Sequence, residues 1–292
     1  MSGPRVYRVA HTTEYSYSDY VSASYGRAHL LPRRSDGQQV LATTIQIDPG
    51  PDELRSHTDF FGNHSTYYCV RTPHQRLRVV ASSDVAIERR AASSEELNSI
   101  TWEEARDHLG EDVQARAFTV NSPLITVTRS VASYAAASFT DGRPLGDAIN
   151  DLMARIHHDV EYVAGATNVK TTLGEVLRGR RGVCQDFAQL TVGCLRSAGV
   201  PARYVSGYLE TTPPPGQPKL QGADASHAWA AVRVPGLDWV DLDPTNNQLV
   251  DDRYVVSAWG RDYSDVPPLK GVILTQAEKS AMEVRVDVTR IG

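Results

Sequence analysis

The chain begins with a strict alternation of side chains along residues 7–17. One set of positions is Tyr7, Val9, His11, Thr13, Tyr15 and Tyr17, and between them lie Arg8, Ala10, Thr12, Glu14 and Ser16. A period of two is typical of a strand with one buried face, because neighbouring side chains of a strand point to opposite sides. Three more segments rich in β-branched and aromatic residues follow, at 40–48, 65–72 and 76–87. Turn signals separate them, so residues 1–95 are predicted to form a β-sandwich domain.

The periodicity changes in the centre of the chain. After Pro144, apolar side chains recur in steps of three and four, at Leu145, Ala148, Ile149, Leu152, Met153 and Ile156. This spacing puts them on one face of an α-helix, and proline suits the first position of such a helix. A second helix is predicted from about residue 184 to residue 198, where Gly199 and Pro201 supply a stop signal.

Strand patterns return after this helix, at residues 202–210, 227–234, 238–243 and 281–291. A Pro/Gly-rich stretch at 211–226 separates the first two and is predicted to be a lid or a disordered loop.

The predicted fold class is α+β, with three parts. Residues 1–95 form the N-terminal β-sandwich domain. Residues 96–140 carry a weaker pattern, with a capping box at Thr101 and Glu104, and are interpreted as a connecting segment. Residues 141–292 form the core with C-terminal strands, in which the helix that carries Cys184 packs on an antiparallel sheet.

Composition narrows the function classes. Charged residues make up 22% and hydrophobic residues 41% of the 292 residues, which is ordinary for a soluble globular protein. The net charge of -5 is spread without long runs of one sign, which argues against nucleic acid as a partner. The apolar stretches are shorter than the ~18 residues of a membrane helix, and the N-terminus lacks the apolar segment of a signal peptide. A cytoplasmic protein with no membrane partner is therefore expected.

The chain has three cysteines, Cys69, Cys184 and Cys194, which are too few for a disulfide framework. They form no CxxC pair, so a zinc site is disfavoured. No metal and no other cofactor is expected. Cys184 follows a glycine-bearing loop at the start of a predicted helix, where free N–H groups and the helix dipole favour a thiolate. Packing is the ordinary role of a single cysteine, and it fits Cys194 on the apolar helix face and Cys69 in a strand.

Residues on two later strands can complete a site around this cysteine. Among nine histidines, His227 opens an apolar strand directly after the long loop, where an imidazole can take up a thiol proton. Asp241 and Asp243 share one face of the next strand, and a carboxylate there can orient the imidazole. Asp243 is preferred because it ends the strand, and Asp241 is the alternative. A calcium loop is disfavoured, since the acidic stretch lacks the central Gly and closing Glu of an EF-hand.

The spacing from Cys184 is short, with 43 residues to His227 and 16 more to Asp243. Papain-type enzymes separate cysteine and histidine by ~130 residues or more, which argues against a plain papain. In RGVCQDFAQLTVGCLRSAGVPARYVSGYL, SHAWAAV and DLDPTNN, the chain resembles the bacterial transglutaminase-like superfamily. YRVAHTTEYSYSDYV, LLPR and DFFGN resemble the β domain that accompanies this core, and GRDYSDVPPLKG resembles its C-terminal signature. The resemblance covers nearly the whole chain.

This resemblance implies a papain-related core with Cys184 as nucleophile, His227 as base and Asp243 as the group that orients the base. It also implies that Arg261 and Asp262, by themselves a polar turn, line or support the cleft. Members of the superfamily include cross-linking transglutaminases, peptidases and amide hydrolases, so a cysteine peptidase, amidase or acyltransferase is expected. Its partner would be a peptide or protein substrate that carries an amide. The sequence holds no signature of the oligomeric state.

Hydrolysis of an amide through a thioester is the leading hypothesis, because the calcium sites and extra β domains of the animal enzymes are absent. Acyl transfer to an amine and a non-catalytic binding module are the alternatives. The backbone N–H of Cys184 is the expected first oxyanion donor. The tryptophan that the animal enzymes carry upstream of the cysteine is missing, which leaves Gln185 and Tyr162 as candidates for the second donor. A solvated amide and a core aromatic are equally good interpretations of these two. Trp229 either walls the cleft or packs in the core.

Overall fold

The computed structural model describes residues 3–109, 112–211 and 226–292. The predicted loop at 211–226 therefore lies, except for its two end residues, outside the described part of the chain. The predicted α+β class is confirmed. The N-terminal part contributes the strands β1 (Arg5–Ala28), β2 (Gln38–Asp48), β3 (Glu53–Thr58), β4 (His64–Val70) and β5 (His74–Ile87).

The middle of the chain is mainly helical. Its elements are α1 (Ser94–Leu97), α2 (Trp102–Leu109), α3 (Val113–Arg116), α4 (Arg129–Ala136), α5 (Leu145–Asp159), β6 (Glu161–Tyr162), α6 (Leu173–Gly179), β7 (Arg181–Gly182) and α7 (Cys184–Ser197). The remaining elements are strands: β8 (Ala202–Leu209), β9 (Ser226–Val234), β10 (Asp238–Asp243), β11 (Gln248–Leu249), β12 (Tyr254–Gly260), β13 (Leu269–Thr275) and β14 (Ser280–Arg290).

The N-terminal sheet is organised around β1, whose 24 residues make it long enough to serve two groups of neighbours. Its first half lies between β5 and β14, and its second half lies between β4 and β13. β2 and β3 add the outer positions. The β-sandwich expected over residues 1–95 is thus built as one curled sheet, because a single strand runs through both of its halves.

Two parts of the predicted domain division differ from the structure. β13 and β14 pair with β1, so the C-terminal strands assigned to the core over 141–292 belong to the N-terminal sheet. A strand pattern identifies a strand but not the edge that it joins. The segment 96–140 is also more than a connection, since Leu97, Ile125 and Val131 are fully buried in the same cluster as α5 and α7.

The core sheet is antiparallel, with the order β11-β10-β9-β8-β12. Helix α7 packs on one of its faces, where Leu190 and Cys194 share a buried cluster with Ala230 and Val232 of β9. The predicted packing of this helix on an antiparallel sheet is confirmed. Because side chains alternate along a strand, Trp229 and its neighbours lie on the other face, in a separate cluster.

A third buried cluster joins the two sheets. It combines Tyr7 and Val9 of β1 and Val286 of β14 with Tyr208 of β8 and Val255 of β12. The core sheet is therefore packed directly against the N-terminal sheet. Among the described helices, none combines the length and the apolar character that crossing a bilayer requires.

Candidate active site

The start of α7 is held by the carboxylate of Asp186. Its Oδ2 accepts hydrogen bonds from the backbone N–H of Val183 at 2.8 Å and from the hydroxyl of Thr167 at 2.5 Å. Gly182 is required here because a Cβ at this position would lie 2.8 Å from the Cβ of Asp186. These contacts fix the turn that leads into the helix. They leave Cys184 half-buried at the first helical position.

His227 and Asp243 are hydrogen-bonded across the core sheet, with Nε2 of the imidazole 2.7 Å from Oδ2 of the carboxylate. Asp243 is fully buried. Its Oδ1 accepts from the backbone N–H groups of Thr245 and Asn246 at 2.9 and 3.2 Å. Its Oδ2 accepts from Nδ2 of Asn246 at 2.7 Å and from the hydroxyl of Tyr254 at 2.6 Å. The carboxylate is thus fixed in position before it orients the imidazole.

The charges of His227 and Asp243 stabilise each other. Burial disfavours the protonated imidazole of His227, but hydrogen bonds with Asp243 and Cys184 and their negative charges outweigh it and raise the pKa of His227 to about 10. Burial also works against the carboxylate of Asp243, but its hydrogen bond with His227 and the imidazolium charge hold the pKa of Asp243 below its usual value. With Nε2 bound to Asp243, Nδ1 is the ring nitrogen left for Cys184. This arrangement can hold a thiolate beside an imidazolium.

Trp229 packs beside the imidazole rather than lining an open cleft, since its side chain is fully buried. Its ring centroid is 6.1 Å from that of His227 and 5.4 Å from that of Tyr254, the latter in an edge-to-face contact. Gly207 lies opposite His227 in the sheet, and a Cβ there would come within 2.6 Å of the indole. The indole therefore fills the space that this glycine leaves open.

The two candidates for the second oxyanion donor lie next to Cys184. Tyr162 is 55% exposed and belongs to β6, which pairs with β7 directly before the cysteine. Burial and the charge of Cys184 raise the pKa of Tyr162. Gln185 is half-buried in the first turn of α7.

Arg261 and Asp262 brace a loop and do not join the triad. Asp262 is fully buried and accepts hydrogen bonds from the backbone of Leu124 at 2.7 Å and from the hydroxyl of Ser264 at 2.5 Å. The guanidinium of Arg261 is paired with Asp265, at 2.9 Å from Nε to Oδ2. These contacts tie the loop to the segment before α4, so the two residues support the core.

The structure also adds residues that the sequence pattern does not single out. Asn246 and Tyr254 bind the carboxylate of Asp243, and Tyr204 shares a cluster with Cys184 and lies edge-to-face with Tyr263, at 6.2 Å between centroids. Asn246 has a local signal, since an aspartate followed by a turn often binds backbone N–H groups two and three residues later. The two tyrosines have none, because their contacts depend on the order of the strands.

The alternative Asp241 is not bonded to His227, whose carboxylate partner is Asp243.

Within residues 3–109, 112–211 and 226–292, no cluster of three or more His, Cys, Asp or Glu side chains is arranged to hold a metal ion.

Two family models match the chain. The bacterial transglutaminase-like N-terminal region matches residues 7–86, and the transglutaminase-like superfamily matches residues 132–244. The protein Rv2569c of Mycobacterium tuberculosis is 45% identical over 99% of this chain and 94% of its own length. A protein-glutamine gamma-glutamyltransferase of Pseudomonas aeruginosa is 38% identical over 68 residues, which are 23% of this chain and 10% of that protein.

The fold is also found among solved structures. The crystal structure of a candidate cysteine protease from Cytophaga hutchinsonii matches with a TM-score of 0.80 at 18% identity, covering 100% of this chain and 92% of that one. Both β domain and core are included in this match. Matched by both family models and related over nearly its full length to Rv2569c, the chain belongs to the bacterial transglutaminase-like superfamily.

Proposed function

We propose that this protein is a cysteine-dependent amide or peptide hydrolase that acts through a thioester on Cys184. The observation that carries the proposal is the 2.7 Å hydrogen bond between His227 and Asp243, with the other side of the imidazole turned to the thiol. A nucleophile, a base and a group that orients the base are the parts that covalent catalysis by a thiol needs.

In the first half of the proposed reaction, the thiolate of Cys184 attacks the amide carbonyl, and the C=O π electrons move to oxygen. The N–H groups of Cys184 and Gln185 can face that oxygen, because the first residues of a helix have no intrahelical acceptor. When the intermediate collapses, the C–N bond breaks and His227 gives its proton to the departing amine. The acyl group remains on the sulfur as a thioester.

In the second half, the neutral imidazole of His227 takes a proton from water while the water oxygen bonds to the thioester carbonyl. The C–S bond then breaks, the carboxylic acid leaves, and the thiolate of Cys184 is restored beside the imidazolium. Asp243 stabilises the charged imidazole and holds its ring in one orientation during both halves.

Acyl transfer to an amine is the second candidate function. It uses the same thioester, and an amine takes the place of water in the second half. The local similarity to the Pseudomonas aeruginosa gamma-glutamyltransferase favours this candidate. The two functions differ only in the nucleophile that reaches the thioester, so one assay can compare them.

The test uses a library of internally quenched fluorescent peptides, which gain fluorescence when an amide bond is cleaved. A glutamine peptide with a fluorescent primary amine is assayed beside it. Wild type should release product, and Cys184→Ala should lower the rate on the order of 10³-fold or more, as loss of a nucleophile does. Cys194→Ala, a change in the same helix, is the matched control and should keep the rate. Product formation by Cys184→Ala at the wild-type rate would contradict the proposal. Incorporation of the amine faster than hydrolysis would select acyl transfer.

A further inference from the structure

A large cavity lies on the side of the core sheet opposite α7. Its volume is about 960 Å³. It is bordered by strands β8, β9, β10 and β12 of the core sheet, by the N-terminal loops at 35–37, 60–61 and 88–92, and by residues 112–118. Its walls include neither Cys184 nor His227 nor Asp243. This volume falls in the range of small-molecule sites, roughly 300–1,000 Å³.

The wall of this cavity contains a buried guanidinium whose Nε–H finds no acceptor among the residues that the structure describes. Arg203 is 6% exposed, and its guanidinium carbon lies 3.6 Å from the ring centroid of Trp259 and 4.3 Å from that of Trp239. Stacking on rings occupies the faces of the planar guanidinium, whereas its N–H groups point outward in the plane. Nε has no acceptor within the described part of the chain. A buried donor left in this way costs free energy unless a ligand or water meets it.

A carboxylate oxygen in the same cavity likewise has no donor within the described ranges. Asp241 lies on β10, and Arg203 lies on β8; both are paired with Ala231 of β9, which lies between them. Oδ1 of Asp241 is buried and accepts no hydrogen bond from the described residues. The two opposite charges therefore face one cavity across a single strand. At the rim, Arg233 and Asp238 form an ion pair with each other. Their charges are therefore already paired, and a ligand in the cavity would meet Arg203 and Asp241.

The rest of the wall is rich in aromatic rings. Ring centroids of Phe61 and Phe118 are 6.0 Å apart, and those of Phe118 and Trp239 are 5.1 Å apart. Phe60, which is 90% exposed, stands at the edge of the cavity. Together with Trp259, these residues are five of the nine phenylalanines and tryptophans in the chain. Such a wall fits a planar apolar group.

We propose that this cavity binds a free amino acid with an aromatic side chain. Its carboxylate would meet Arg203 in the plane of the guanidinium, its ammonium group would meet Asp241, and its ring would pack against Phe118 and Trp239. A ligand with a carboxylate alone leaves Asp241 unpaired, and an amine alone leaves Arg203 unpaired. The zwitterion satisfies both groups, and buried charges in contact with a ligand need such pairing.

The test is calorimetric titration of the full chain with L-phenylalanine, 3-phenylpropionate and 2-phenylethylamine. L-phenylalanine should bind at least tenfold more tightly than either analogue, because each analogue lacks one charged group. Absence of binding at millimolar concentration, or equal affinity for all three ligands, would overturn the proposal. This comparison needs no variant, so it does not depend on how a substitution folds.

Two isosteric variants then locate the site. Asp241→Asn should weaken L-phenylalanine binding at least tenfold and leave the affinity for 3-phenylpropionate within threefold. Asp107→Asn, in an exposed ion pair with Arg106 outside the cavity, is the matched control and should change neither affinity more than twofold. Alkylation of Cys184 should leave binding unchanged. Loss of binding after alkylation would place the ligand at the thiol and overturn the assignment to this cavity.

Discussion

The three cysteines differ in exposure and in charge environment. Cys184 is half-buried at a helix start, whereas Cys69 and Cys194 are fully buried. Burial raises the pKa of Cys194 to about 12, so its thiol stays protonated at neutral pH. We expect iodoacetamide to label Cys184 alone in the folded protein, because the thiolate is the reactive form. Mass spectrometry of tryptic peptides over time measures the three rates, and equal rates would show that Cys184 is not activated.

The raised pKa of His227 predicts how activity depends on pH. The thiolate–imidazolium pair is lost when the imidazole loses its proton, so kcat/KM should fall as pH rises toward about 10. The same shift in pKa makes the stability of the fold depend on pH. The contribution of His227 to stability is fully present below about pH 6.5 and is lost as the pH rises through its folded-state pKa of about 10. A profile of kcat/KM against pH measures this alkaline decline. A decline centred near pH 6.5, the ordinary pKa of histidine, would contradict the raised pKa of His227.

Asp243→Asn tests the group that orients the imidazole. It removes the negative charge beside His227, so the alkaline decline of kcat/KM should move down toward neutral pH and kcat should fall on the order of 10²–10⁴-fold.

Tyr254→Phe removes only the hydrogen bond from the tyrosine hydroxyl to Oδ2 of Asp243 at 2.6 Å. It should lower kcat by roughly tenfold or less and leave KM unchanged, since the ring still packs and the net contribution of one hydrogen bond is about 1 kcal/mol. A change confined to KM in either variant would speak against a positioning role.

At the scale of single residues, the sequence indicates the candidate site residues more readily than the residues that hold them in place. The sequence indicates Cys184, His227 and Asp243 because each residue type has a chemical role and lies at a helix start or a strand end. It does not indicate Tyr254, because the contact of Tyr254 with Asp243 arises only when β12 lies beside β8 in the sheet. The strand pattern around Trp229 is the same whether its side chain lines a cleft or is buried, so only the packing of the folded protein distinguishes the two.

Within β8, Gly207 determines how closely the neighbouring strand and the indole approach. A Cβ there would lie 2.1 Å from the carbonyl oxygen of Val255 and 2.6 Å from Trp229. Gly207→Ala should therefore lower the free energy of unfolding by at least about 1–3 kcal/mol, the usual cost of overpacking. Gly174→Ala in α6 is the control; its Cβ would have its nearest neighbour at 3.8 Å. It should raise stability by roughly 0.5–1 kcal/mol. Urea unfolding measures both, and equal effects would contradict the steric argument.

The elements differ in how well their patterns predict them. The helix predicted from about residue 184 is observed as Cys184–Ser197, because its apolar face is continuous and its stop signal is local. The first strand was predicted over 7–17 but extends over Arg5–Ala28. Its pairing with β13 shifts register between Val21 and Ala23, which interrupts the alternation. Helices α1 and α3 have four residues each, too few to show a helical period.

On the scale of the whole molecule, the cluster shared by the two sheets predicts a single cooperative unfolding transition. Tyr208 and Val255 of the core sheet are buried against β1 and β14, so neither sheet can unfold without exposing apolar surface of the other. Differential scanning calorimetry should show one peak, and Val255→Ala should move that peak to lower temperature without splitting it. Two separate peaks would show that the sheets are independent.

Tyr7 on β1 pairs with Arg290 on β14, and these two positions are about 280 residues apart along the chain. A ribosome needs on the order of 14–56 s to translate that distance at about 5–20 residues per second. Throughout that time, one edge of β1 lacks its strand neighbour. Completion of the N-terminal sheet therefore waits for β14, although β1 is translated before every other strand of that sheet.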